Sequence, residues 1–177
     1  MDLKETYLRR ARHETLHAGY AVHCDIEIER VVVHPTGVTT LFWPCASQDL
    51  WKVMRRNPLQ ALGRIKDIVG VLTAPEVCLD VRTTGPDLAE LRSWQQVWEV
   101  ARLFAHPEGP PWVDILKSAR WQIISWHGQI GRKKQLDRLA EILLEHNSLN
   151  GNQFATLYNR LDLAGVPRRS PYAMALV

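Results

Sequence analysis

Two histidines stand four positions apart near the start of the chain, in the run His13-Glu14-Thr15-Leu16-His17. This is an H-E-x-x-H pattern, which in zinc enzymes supplies two imidazole ligands and a glutamate general base. Residues four apart on an α-helix share one face, about 5 to 6 Å apart at Cβ, so both rings could reach one ion. Glu14 lies about 100° round the helix, a poor position for a ligand but a good one for a base. The run predicts half of a zinc site, the alternative being a helix with two ordinary histidines.

The motif needs a helix, and the surrounding residues predict one. Apolar residues recur at steps of three and four from Leu3 to Val22, which is the helical pattern. A β-branched run, Ile26 to Val33, follows, and the turn His34 to Gly37 separates it from strand-like residues Val38 to Trp43. We therefore expect a β-hairpin or small sheet directly after the zinc helix.

The rest of the chain is predicted to be helical. Capping residues indicate one helix that starts at Asn57-Pro58, with a bend or boundary at Ala74-Pro75, and another that starts at Asp87. Apolar spacing indicates helices over Val113 to Trp126 and Lys134 to His146. A turn at Asn150-Gly151-Asn152 is expected before a last helix, Gln153 to Leu161. Residues 163–177 are expected to form a loose C-terminal tail. Trp94 and Trp98 are expected in the core rather than in a ligand site, and Trp121 and Trp126 have no stronger claim to a ligand site.

Composition narrows the class of protein. The 177 residues suit one domain, and 46% hydrophobic with 23% charged residues is typical of a globular fold. A net charge of +3 is too small to indicate nucleic-acid binding, and no apolar run approaches a membrane span. Three widely spaced cysteines suggest neither a disulfide framework nor a cysteine metal site. We expect a cytoplasmic, mainly α protein of α+β type, a single domain over residues 1–177.

Five segments, in order, resemble the peptidase domain of the FtsH family of ATP-dependent zinc proteases. Ala11 to Val22 looks like the family's zinc helix, and Ile28 to Phe42 is similar to its strand, P-x-G turn and strand. Ile65 to Asp80 resembles the next helix with its acidic end. Thr83 to Leu88 resembles the T-T-G-A-x-N-D-L element, and Ala140 to Leu157 resembles the closing helices.

The resemblance implies a zinc endopeptidase of FtsH-type fold that acts on unfolded or extended polypeptides. It implies Asp87, the residue that matches the family's aspartate, as the third zinc ligand after His13 and His17. Asp80 and Glu76 are alternatives, because the loop before Asp87 is two residues shorter than in the family. The sequence has no G-x-x-x-x-G-K-[ST] loop for a nucleotide, so an AAA ATPase would be a separate partner.

A second hypothesis fits the same residues. The chain could be a non-catalytic protein-binding or adaptor module that keeps the peptidase fold and docks onto a separate ATPase or onto its own copies as a homo-oligomer. The two hypotheses differ in whether Glu14, His13 and His17 are needed for function.

Overall fold

The computed structural model describes residues 3–33, 58–79 and 112–161, and these ranges form a mainly helical protein. In chain order the elements are α1 (Leu3–His23), β1 (Arg30–Val32), α2 (Pro58–Cys78), α3 (Trp112–His127), α4 (Arg132–His146), β2 (Ser148–Asn150) and α5 (Gly151–Arg160). The prediction of a mainly α chain with a small sheet is confirmed. None of the described helices is long and apolar enough to cross a membrane.

Helix α1 holds the central position in the packing. It lies against α2 on one side and α4 on another, while α2 also packs against α3. Each helix contributes fully buried apolar side chains to one continuous core, for example Ala18, Val69, Ile123, Leu139 and Phe154. Because α1 is packed on more than one side, the two histidines of its motif are held inside the protein.

The sheet joins the end of the first described range to the last described range. Strand β1 pairs antiparallel with β2, and Val31 lies directly opposite Leu149. The expected partner strand, residues 38–43, lies outside the described ranges. So do the turn at residues 34–37, the helix predicted to start at Asp87 and the predicted tail at 163–177.

The turn predicted at Asn150-Gly151-Asn152 is wrong, because Asn150 ends β2 and caps α5, which starts at Gly151. The side chain of Asn150 accepts the N–H of Gln153 at 2.9 Å, and the side chain of Gln153 accepts the N–H of Asn150 at 2.9 Å. This capping box satisfies two backbone donors at once. A side chain at Gly151 would collide with the carbonyl of Ile28, so only glycine fits where the strand turns into the helix.

A helix boundary at Ala74-Pro75, one of the two predicted alternatives, is also wrong. Helix α2 continues through Pro75, which is fully buried, and ends at Cys78. The N–H of Leu79 donates to the carbonyl of Pro75 at 2.7 Å, so the last turn is closed.

Two tryptophans of α3, Trp126 and Trp121, differ in burial. Trp126 is buried against Tyr20, and its Nε1–H donates to the hydroxyl of Tyr158 at 3.0 Å. Trp121, by contrast, is 71% exposed. The buried apolar residues of α3 face inward, while Trp121 falls on the opposite side of the helix.

Candidate metal centre

The two histidines of the motif meet at their ring tips. His13 and His17 are only 7% and 5% exposed, and both lie on α1. Their Nε2 atoms are 3.0 Å apart, and the rings are nearly perpendicular, with an interplanar angle of 73°. The structure therefore brings together the two residues that the sequence predicts as metal ligands.

This separation fits a zinc ion. Zinc binds histidine nitrogen at roughly 2.0 to 2.1 Å with tetrahedral geometry, so two such nitrogens stand about 3.3 to 3.4 Å apart. The observed distance of 3.0 Å between the two Nε2 atoms is shorter than this nitrogen–nitrogen distance by no more than about 0.4 Å. A small rotation of either ring would give the ligand geometry, so these two side chains fit the metal that the motif implies.

His17 is oriented by the neighbouring helix. Its Nδ1 lies 2.6 Å from the carbonyl oxygen of Val71 on α2. A carbonyl can only accept, so Nδ1 carries the proton and donates it. Burial, and next the nearby charge of His13, lower the pKa of His17 to about 3, although the bond to Val71 opposes the shift. His17 is therefore neutral at pH 7, and the lone pair of its Nε2 points at His13.

The contact between Val71 and His17 was not predicted from the sequence. A metal-binding histidine commonly donates its second ring N–H to a carbonyl or carboxylate, which fixes the ring and its tautomer. Here the acceptor is a backbone atom, so no side-chain type marks it in the sequence.

Glu14 lies beside the histidines on α1 and is 6% exposed. The next residue, Thr15, is also fully buried. A carboxylate is costly to bury and is retained inside proteins chiefly where it is paired or has a chemical task. Its position is the one that the motif requires of a general base.

The third ligand is not among the described residues. Within residues 3–33, 58–79 and 112–161, no group of three or more His, Cys, Asp or Glu side chains is arranged to hold a metal ion. Glu76 lies in α2 with its Oε1 shielded from solvent, yet it does not join His13 and His17 in such a group. Asp87 and Asp80 lie outside the described ranges.

A cleft of about 330 Å³ adjoins the motif on another side of α1. Arg12 and Leu16, each of which directly precedes one of the two histidines, form part of its wall, and Lys133 and Asp137 come from α4. Arg12 and Asp137 form a salt bridge at 3.0 Å. The cleft thus adjoins the two histidines in sequence, and its lining is a mixture of charged and aliphatic side chains.

Comparison of the chain with protein-family models and with curated proteins gives no match. The resemblance to the FtsH family therefore rests on the sequence motifs quoted above.

Proposed function

We propose that this protein is a zinc-dependent endopeptidase with a peptidase domain of FtsH type. The observation that carries the proposal is the convergence of the two Nε2 atoms of His13 and His17 at 3.0 Å, with His17 oriented by the Val71 carbonyl. Without a metal the two Nε2 atoms share one N–H···N hydrogen bond, and the bond to Val71 keeps the Nε2 lone pair of His17 facing His13.

In the proposed reaction His13 and His17 would hold the metal, and Asp87 would supply the third ligand. A zinc ion bound there would polarise the scissile carbonyl and acidify a water molecule. Glu14 takes a proton from the water as its oxygen attacks the carbonyl carbon. Glu14 then passes that proton to the leaving nitrogen as the C–N bond breaks, so that one peptide bond and one water give a carboxylic acid and an amine. The acid then gives its proton to the amine, which leaves a carboxylate and an ammonium group at neutral pH.

The proposed substrate is an unfolded or extended polypeptide. The cleft beside Arg12 and Leu16 offers room for one of its side chains. We further propose a cytoplasmic location, with a separate AAA ATPase and homo-oligomer formation as the partners to be tested.

The test combines zinc content with cleavage of an unfolded protein. Wild type should hold about one zinc per chain by elemental analysis, and Glu14→Gln should keep that zinc while cleavage falls by about 10²-fold to 10⁴-fold. His17→Ala should lose the metal. His146→Ala, at an exposed position on α4, is the matched control and should change neither quantity.

Two results would contradict the proposal. If Glu14→Gln cleaved as fast as wild type, Glu14 would not be the base. If wild type bound no zinc after reconstitution and cleaved nothing, the non-catalytic binding module would replace the peptidase. In that case a partner captured by wild type should bind a His13→Ala, His17→Ala double variant equally well.

A further inference from the structure

The carbonyl that orients His17 belongs to an unusual position in α2. In a regular helix the carbonyl of residue 71 accepts the backbone N–H of residue 75. Residue 75 is Pro75, which lies inside α2 and has no N–H to donate. The helix therefore leaves the carbonyl of Val71 without its usual backbone donor.

The nitrogen of His17 uses this carbonyl. Its Nδ1–H donates to Val71 at 2.6 Å, from a helix 54 residues earlier in the chain. A proline ring also crowds the carbonyl four residues before it, which tilts that oxygen away from the helix axis. Both effects turn a backbone acceptor of α2 toward its neighbour α1, which packs against it.

A nearby carbonyl provides a comparison. Val69 accepts a hydrogen bond from the hydroxyl of Thr73 at 2.8 Å. Thr73 also carries the backbone N–H that a regular helix directs at Val69, so that oxygen is available to two donors. Val71 has no such competition, and its bond to His17 is the shorter of the two.

We propose that Pro75 is a positioning residue for the metal site: by lacking an N–H, it reserves the Val71 carbonyl for Nδ1 of His17. That bond fixes the proton on Nδ1 and aims Nε2 at the metal. The inference rests on the proposed metal site for its purpose, but the hydrogen bond itself can be tested without metal.

The test uses the full chain with Pro75→Ala. Alanine restores the N–H of residue 75, which then competes for the Val71 carbonyl and weakens the bond from His17. Pro58→Ala is the matched control, because Pro58 is the first residue of α2, where no carbonyl of that helix awaits its N–H. Pro75→Ala gains helix propensity but removes buried ring atoms, and Pro58→Ala removes a proline suited to the first helical turn, so the urea midpoints of both variants are measured to verify that each is folded.

Two readouts are needed. In metal-free protein, ¹H–¹⁵N NMR of the imidazoles should show His17 protonated at Nδ1 in wild type and in Pro58→Ala. In Pro75→Ala the Nδ1 proton should move upfield, and Nδ1 should lose part of its proton to Nε2. In a competition titration with a chromophoric chelator, zinc affinity should fall at least about tenfold in Pro75→Ala and remain unchanged in Pro58→Ala.

The outcomes separate the two proposals. An unchanged His17 spectrum in Pro75→Ala would overturn the role of Pro75, whatever the zinc affinity. A shifted spectrum with tenfold weaker zinc binding supports both proposals. A shifted spectrum in a protein that binds no zinc at all supports the Pro75 contact and refutes the peptidase.

Discussion

Gly70 of α2 lies against the side chain of Tyr20 of α1, and a methyl group added at Gly70 would collide with it. A Cβ at this position would meet the ring of Tyr20, with Cζ at 3.0 Å and the hydroxyl oxygen at 3.1 Å. Tyr20 cannot easily move aside, because it is buried and packs edge-on against Trp126 with ring centroids 5.1 Å apart. Gly70→Ala should therefore push the two helices apart, or strain the aromatic pair.

The matched control is Gly63→Ala in the same helix, where an added Cβ meets nothing within 4 Å. Both changes gain helix propensity of about 1 kcal/mol. Gly70→Ala also incurs the overpacking cost of about 1 to 3 kcal/mol. The difference between the two variants isolates that cost, since the propensity gain cancels.

The measurement is urea unfolding of both variants in the presence of a chelator, followed by a zinc titration. Gly63→Ala should be more stable than wild type, and Gly70→Ala should lie about 1 to 3 kcal/mol below Gly63→Ala. Because Gly70 is next to Val71, separation of the helices should also weaken zinc binding by about tenfold or more. Equal stability of the two variants, or zinc binding that is unaffected in Gly70→Ala, would refute the close approach of α2 as the feature that fixes His17.

Three further changes test other parts of the fold. Burial raises the pKa of Asp67 from 3.8 to about 6, so the native state favours the protonated form and loses stability as pH rises from 4 to 6. Asp67→Asn should remove this loss, which is worth up to about 3 kcal/mol above pH 6. Parallel pH profiles of urea unfolding for wild type and Asp67→Asn would contradict the prediction. Asn150→Ala should cost about 1 kcal/mol by removing the cap of α5, measured as a lower urea midpoint, and an unchanged midpoint would mean that Gln153 gains nothing from the capping box. Trp126→Phe should lower thermal stability because it removes a buried indole N–H that donates to Tyr158, whose hydroxyl keeps its bond from Arg132 at 2.7 Å. Trp121→Ser, at an exposed site, should change the free energy of unfolding by less than about 0.5 kcal/mol. Equal effects of the two substitutions would contradict the difference in burial.

The helices could be predicted because their signal is local. The apolar spacing from Leu3 to Val22 predicts nearly the whole of α1, and the Asn57-Pro58 signal marks the start of α2 at Pro58. The proximity of His13 and His17 is predictable for the same reason, since an i, i+4 step on one helix places the two rings on one face before any tertiary contact forms.

The pairing of β1 with β2 could not be predicted in this way. Residues 148–150 are three residues between two helices, too short for an alternating pattern to stand out. Their pairing with residues 30–32 joins segments that are distant in sequence, and it is the fold of the intervening chain that brings them together. The asparagine and glycine of Asn150-Gly151 are common in turns, but here they serve as a helix cap and a close backbone contact.

At Pro75 a local sequence signal predicts a helix boundary that the structure does not have. A proline in a helical pattern removes one hydrogen bond, which predicts that α2 bends or ends at this position. The helix instead continues because Pro75 is buried in packed surroundings and the released carbonyl of Val71 finds a donor in His17. The cost of the proline inside α2 is thereby offset by a bond that α1 needs. The same residue that weakens one helix locally thus joins it to the candidate metal site, and only the packing of α1 against α2 reveals that connection.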